Sequence, residues 1–130
     1  MELDWSKYPN FSKKEFDCKF TGKNRMRPEF LEVLQRIRFE YGKPMLITSG
    51  YRDKKHPIEA RKAAPGEHSF GLACDVGVSG VDWGELFVIA WKHGIRRIGV
   101  KQHGDARFIH LGMGDIYLNF PKKPYSYGGK

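Results

Sequence analysis

Cysteine is scarce in this chain: its 130 residues contain two, Cys18 and Cys74. Two cysteines cannot make the multi-bridge framework of small secreted domains, and neither has a partner at the Cys-x-x-Cys spacing of structural zinc sites. They are read as free thiols. Long apolar runs are missing too, since none approaches the roughly 20 residues that cross a bilayer. The opening Met1-Glu2-Leu3-Asp4-Trp5 has neither a basic start nor an apolar segment, so no secretory leader is visible and synthesis in the cytoplasm is expected. There is no internal repeat, low-complexity stretch or linker-like segment, which leaves one domain over residues 1–130.

Acidic residues are the next shortage. Against 23 Lys and Arg stand 15 Asp and Glu, a formal charge of +8. That balance favours a polyanionic partner such as nucleic acid, an anionic membrane surface or an anionic cell wall. The basic residues are scattered rather than clustered, which indicates a general electrostatic bias and argues against a nucleic-acid reading head. What the chain does have is material for a core, with 40 % hydrophobic and 14 % aromatic residues. A domain of this length folds without a metal or disulfide staple. Any metal it binds is therefore functional rather than structural.

Residues 1–11 are polar and aromatic, with Pro9-Asn10 as a turn signal, and read as an arm over the domain. Ser12 with Glu15 three residues on makes a capping box for a short helix to about Asp17. A basic loop runs from Lys19 to Arg27. Pro28 then opens a helix to Tyr41 whose Phe30, Leu31, Leu34, Ile37 and Tyr41 share one face, with Gly42 as its stop. A short buried strand at 45–48 ends in Ser49-Gly50-Tyr51-Arg52, which forms either a rim of donors beside a pocket or a solvent-facing turn. Residues 53–66 are basic and irregular, with a helical turn over Pro57 to Ala63. Strands are expected at 73–78, 97–101 and 107–113, and a helix from Trp83 to His93, begun by an Asp82/Glu85 capping box and stopped at Gly94. The tail from Gly114, with Pro121, Pro124 and Gly128-Gly129, reads as an irregular wrap with a frayed end. The fold class is α+β: a small mixed or antiparallel sheet with helices packed on it.

The chemistry gathers at Gly66-Glu67-His68-Ser69-Phe70-Gly71-Leu72-Ala73-Cys74-Asp75. An imidazole and a carboxylate stand seven residues apart, an odd spacing that on one strand would send them to opposite faces. They converge only if His68 sits on a loop and the chain turns near Gly71 into a strand carrying Asp75. On the last strand Phe108, His110 and Gly112 share one face, while Ile109, Leu111 and Met113 share the other. The second set belongs to the core, so His110 points away from it. Catalytic zinc sites use three ligands from His, Asp and Glu and keep a fourth position for water. His68, Asp75 and His110 supply such a set; the plainer alternative is that the histidines are hydrogen-bonded structural residues.

Several segments occur in an order that resembles a known family. They are Phe11-Ser12-Lys13-Lys14-Glu15-Phe16-Asp17-Cys18, the helix ending in Tyr41-Gly42-Lys43-Pro44, Ser49-Gly50-Tyr51-Arg52, His68 to Asp75, Arg97-Ile98-Gly99-Val100 and Phe108-Ile109-His110. Together they resemble the zinc peptidases of the lysostaphin, D-Ala-D-Ala carboxypeptidase and hedgehog superfamily, in particular the small carboxypeptidase-like domains of cell-wall enzymes and phage endolysins. The resemblance implies Zn2+ held by His68, Asp75 and His110, and places Arg52 near the substrate carboxylate or the oxyanion. Ser49 and Tyr51 become substrate-side groups.

Two departures stand out. Many relatives read Phe-x-His-x-Asp at the last motif, where this chain has Gly112. Other branches place an acid three residues before the last ligand, and Arg107 stands there instead. Asp105 is the nearest acid in sequence and is the expected general base; Glu67 and His103 are further options, His103 also as a substrate-side group. The resemblance implies hydrolysis of an amide bond in the stem peptides of peptidoglycan, by an endopeptidase or a D,D-carboxypeptidase, acting as a monomer without nucleic acid or membrane insertion. A phage lysin fits, meeting the wall after membrane opening or from a virion. Two other readings stay open: a zinc-containing module that binds wall or protein without cutting, and a basic nucleic-acid-binding domain with structural histidines.

Overall fold

Pro28, pre-set for a first helical turn, opens the longest element of a computed structural model that describes residues 2–127. The helices are α1 (Lys13–Phe16), α2 (Pro28–Tyr41), α3 (Pro57–Ala60), α4 (Gly80–Lys92) and α5 (Gly114–Tyr117). The strands are β1 (Leu46–Ser49), β2 (Ala73–Gly77), β3 (Arg97–Lys101), β4 (Phe108–Gly112) and β5 (Tyr125–Ser126). They form one mixed sheet in the order β1-β2-β4-β3-β5, antiparallel except for β5, which runs parallel to β3. The expected α+β class is thus observed.

The apolar stripe of α2 does what its spacing predicts. Phe30, Leu31, Leu34 and Ile37 are buried in a core shared with Leu86 and Ala90 of α4 and with Val76, Ile98, Ile109 and Leu111 of the sheet. Gly42 ends α2 in the left-handed conformation, its N–H returning to the Arg38 carbonyl. At α1, Glu15 accepts a hydrogen bond from the Ser12 N–H at 2.7 Å, as the capping box requires. The arm packs through Trp5 and Phe11, each ring 5.6 Å from that of Phe16. Cys18 and Cys74 are buried and unpaired. Among the described residues no helix is long and apolar enough to cross a membrane.

Three expectations are corrected. Helix α4 starts at Gly80 with Ser79 before it, three residues earlier than the Asp82/Glu85 pattern implies. Asp82 and Glu85 instead both clasp Lys43 Nζ, at 2.6 and 2.7 Å, tying α4 to the end of α2. Strand β1 lies at the sheet edge, so Leu46 is exposed rather than buried. The C-terminal wrap contains α5 and β5, because Gly99 of β3 has no side chain to hold Tyr125 and Tyr127 off the sheet. The expected frayed end at Gly128-Gly129 lies outside the described residues.

Alternation along β2 and β4 decides where function can sit. Ile109 and Leu111 enter the core, which leaves His110 on the opposite face, and Asp75 of β2 lies directly across from it in register. That second face is the floor of a cleft of about 1050 Å³.

Candidate metal centre

His68 reaches the cleft floor because the segment before β2 coils. Glu67–Phe70 form a 3-10 turn, and Gly71 stops it in the left-handed conformation (φ 70°) before the chain extends into β2. A Cβ at Gly71 would overlap the Arg25 carbonyl oxygen and lie 2.9 Å from the Arg27 nitrogen, so only glycine passes there without displacing backbone. The loop-then-strand arrangement expected from the odd spacing of His68 and Asp75 is the one observed.

Three ligand-type atoms converge. His110 Nδ1 lies 2.9 Å from Asp75 Oδ1 and 3.2 Å from His68 Nε2, and His68 Nε2 lies 3.4 Å from Asp75 Oδ1. All three side chains are buried, at 4, 5 and 2 % exposure for His68, Asp75 and His110. The group has the make-up and closeness of a site that could hold a metal ion.

Each of the three is held from behind. His68 Nδ1 is 2.8 Å from the Gly50 carbonyl oxygen; a carbonyl only accepts, so Nδ1 carries the proton and Nε2 presents its lone pair to the cluster. Asp75 Oδ2 accepts from Arg52 Nη2 at 3.3 Å, leaving Oδ1 to the centre. Arg52 is itself fixed by Glu59 Oε2 at 3.3 Å and by the Ser49 hydroxyl at 3.1 Å. His110 Nε2 donates to Glu67 Oε2. The other oxygen of Glu67 accepts from Arg97 Nε and from the Gly114 N–H, both at 2.9 Å.

The electrostatics follow from this packing. Burial pushes His68 below its ordinary value and keeps it neutral, only partly opposed by Asp75. Burial acts the same way on His110, but the Asp75 and Glu67 carboxylates on either side outweigh it and raise the ring. Burial would raise Asp75, yet the two histidines hold it well below the usual carboxylate range. The two carboxylates that flank His110 thus favour its protonated form in the metal-free protein.

The expected site residues divide into those the fold gathers and those it does not. Ser49 and Arg52 line the cleft beside His68, Asp75 and His110. Tyr51 does not: it is 6 % exposed within the core cluster, its N–H bonded to the Phe16 carbonyl, so it cannot face substrate. Asp105 and His103 are exposed on the β3–β4 connection and do not line the cleft; only their backbone carbonyls are engaged, by Lys101. Asp105 is therefore not the further acid beside the cluster; apart from Asp75 itself, that acid is Glu67.

Other cleft residues gave little signal in the sequence. Tyr125 covers His110, its ring 5.7 Å from the imidazole, while Tyr127 packs on Phe108, and the two hydroxyls lie 3.3 Å apart. Burial pushes Tyr127 up to about 12 and Tyr125 further, so both stay protonated donors at neutral pH. Their period-two spacing was the available clue. Lys62, Lys101 and Arg107 add positive charge to the cleft, whose own acids, Asp75 and Glu67, are already paired.

A family model described as Peptidase M15 matches residues 9–112, a span that contains all three converging side chains. Comparison with curated proteins finds no match.

Proposed function

Since the chain belongs to the Peptidase M15 family, we propose that it is a zinc-dependent peptidase that hydrolyses an amide bond in the stem peptides of peptidoglycan. The convergence of His68 Nε2, Asp75 Oδ1 and His110 Nδ1 on the cleft floor carries this reading. Tetrahedral zinc with bonds near 2.0–2.1 Å has ligand-to-ligand edges of about 3.3 Å. The edges here are 2.9, 3.2 and 3.4 Å, so the donors fit the ion in kind and spacing. Zinc in such a site polarises a carbonyl and lowers the pKa of bound water toward about 7.

The chain's own residues would do the rest. Arg52 holds Asp75 while its side chain, 15 % exposed, borders the cleft beside Ser49 and can meet a substrate carboxylate or a developing oxyanion. Tyr125 and Tyr127 also line the cleft as a hydroxyl pair, in which one O–H bonds the other and leaves a single O–H to donate outward. Stem peptides carry free carboxylates, which suit Lys101 and Arg107, neither of them in an ion pair among the described residues, and the overall charge of +8. Attraction of that charge to an anionic wall also supports the role of a lysin.

Purified sacculi digested with the protein and analysed for new amino groups and muropeptides test this. Release should stop with chelator, return with zinc, and vanish in His68→Ala; the masses decide between endopeptidase and D,D-carboxypeptidase. Undiminished cleavage by the metal-free protein would sink the reading. One observation favours a second reading, a zinc-containing wall-binding module: both oxygens of Glu67 are engaged, and Asp105 stands outside the cleft. Wall binding by the zinc-loaded protein without any released product would select it.

A further inference from the structure

Glu67 and Gly112 occupy one space. Gly112 lies two residues beyond His110 on the same face of β4, where a side chain would enter the cleft. A Cβ built there would overlap all three atoms of the Glu67 carboxylate group, and a Cβ at Gly114 would lie 2.7 Å from Glu67 Oε1. The two glycines leave a slot, and the carboxylate that fills it comes from the 3-10 turn rather than from the strand. Glu67 is 3 % exposed there and is locked by Arg97, the Gly114 N–H and His110.

We propose that Glu67 is the positioning carboxylate of the metal centre: it holds the His110 Nε2–H and so turns Nδ1 toward the ion, taking the space that a side chain at position 112 would otherwise fill. The inference rests on the zinc reading of the same site. A histidine bound through Nδ1 must keep its proton on Nε2, and an acceptor behind Nε2 fixes both tautomer and ring rotation. For His68 the corresponding acceptor is the Gly50 carbonyl. Glu67 is not free to act as a base, because neither oxygen is left without a donor. The space of the missing acid on the last strand is thus filled from the 3-10 turn before β2, with the charge placed behind the ligand.

Zinc affinity by competition with a fluorescent chelator is the test, with circular dichroism as a check on folding. The parent should bind one zinc, and Glu67→Gln should bind it about 10- to 100-fold more weakly. Gly112→Asp alone should also weaken binding by expelling Glu67, whereas Glu67→Ala with Gly112→Asp should bind more tightly than Glu67→Ala alone. Nitrogen-15 spectra of the zinc-loaded parent need no variant to fold, and should show His110 protonated at Nε2 with Nδ1 on the metal. Zinc binding by Glu67→Gln equal to the parent's, or His110 bound through Nε2, overturns the role of Glu67 and leaves the zinc site standing. A parent that binds no zinc overturns both.

Discussion

Zinc should stabilise this fold by an amount that its size and the site together set. The cluster has internal partners without zinc, since His110 lies between the Asp75 and Glu67 carboxylates, which favour its protonated form, so the metal-free protein should fold and zinc should add to its stability. Zinc that binds only the folded state adds about 2.7 kcal/mol at one hundred times its dissociation constant. For 130 residues the unfolding entropy is about 270 cal/mol/K, at about 2.1 cal/mol/K per residue, so the melting midpoint should rise by about 10 °C. Each further tenfold in free zinc adds about 1.4 kcal/mol, or about 5 °C. Calorimetry across buffered zinc concentrations reads both the size and the slope. His68→Ala, Asp75→Asn and His110→Ala should each flatten the slope. Zinc must also displace the proton on His110 Nδ1, so binding should release a proton below the raised pKa of that ring, and affinity should fall on acidification. Equal midpoints in zinc and in chelator, or an undiminished slope in His110→Ala, would refute the reasoning.

Gly71→Ala forces a left-handed conformation at about 1–2 kcal/mol and drives a methyl into the Arg25 carbonyl, so urea unfolding should show a loss above that range together with weaker zinc binding. Arg52→Met leaves the buried Asp75 and Glu59 each short of a cation and should cost about 3 kcal/mol; Arg52→Lys, which cannot span both, should recover only part of it. The metal-free protein should be most stable near pH 6.5, the ordinary value from which the two cleft histidines depart in opposite directions. His68 is depressed when folded, so its contribution is full above 6.5 and is lost as pH falls; His110 is raised, so its contribution is full below 6.5 and is lost as pH rises. Asp75 and Glu67, both lowered, deepen the acid limb below their unfolded values of 3.8 and 4.5. Melting of the metal-free protein against pH checks this, and His110→Asn should remove the alkaline limb.

Local signals carried much of the fold. Helix α2 was legible because its start, its apolar stripe and its stop all lie within the segment that forms the helix. The start of helix α4 is not legible locally because Asp82 and Glu85, which imitate a capping box, are committed to Lys43, some forty residues away. Strand β5 is only two residues long, so the Tyr125/Tyr127 spacing is too short to mark a strand by itself. It forms because Gly99 offers a bare backbone against which Tyr125 and Tyr127 can lie, a fact about β3 and not about the tail.

The same division runs through the site. His68, Asp75 and His110 could be read from spacing because strand alternation and one loop fix where each side chain points. The groups that hold them could not, since each comes from elsewhere in the chain: the Gly50 carbonyl lies 18 residues from His68, Arg52 lies 23 from Asp75, and Glu67 lies 43 from His110. Tyr51 and Asp105 were the natural choices by nearness in sequence, and the fold sends one into the core and leaves the other outside the cleft. Gly112 was the sharper signal. Where a side chain is missing beside a ligand on a buried face, the space is filled from another element, and the acid to look for is one that the glycine leaves room for. Here that acid is the neighbour of His68, so a single turn delivers both an imidazole on the cleft floor and the carboxylate that accepts from His110 Nε2.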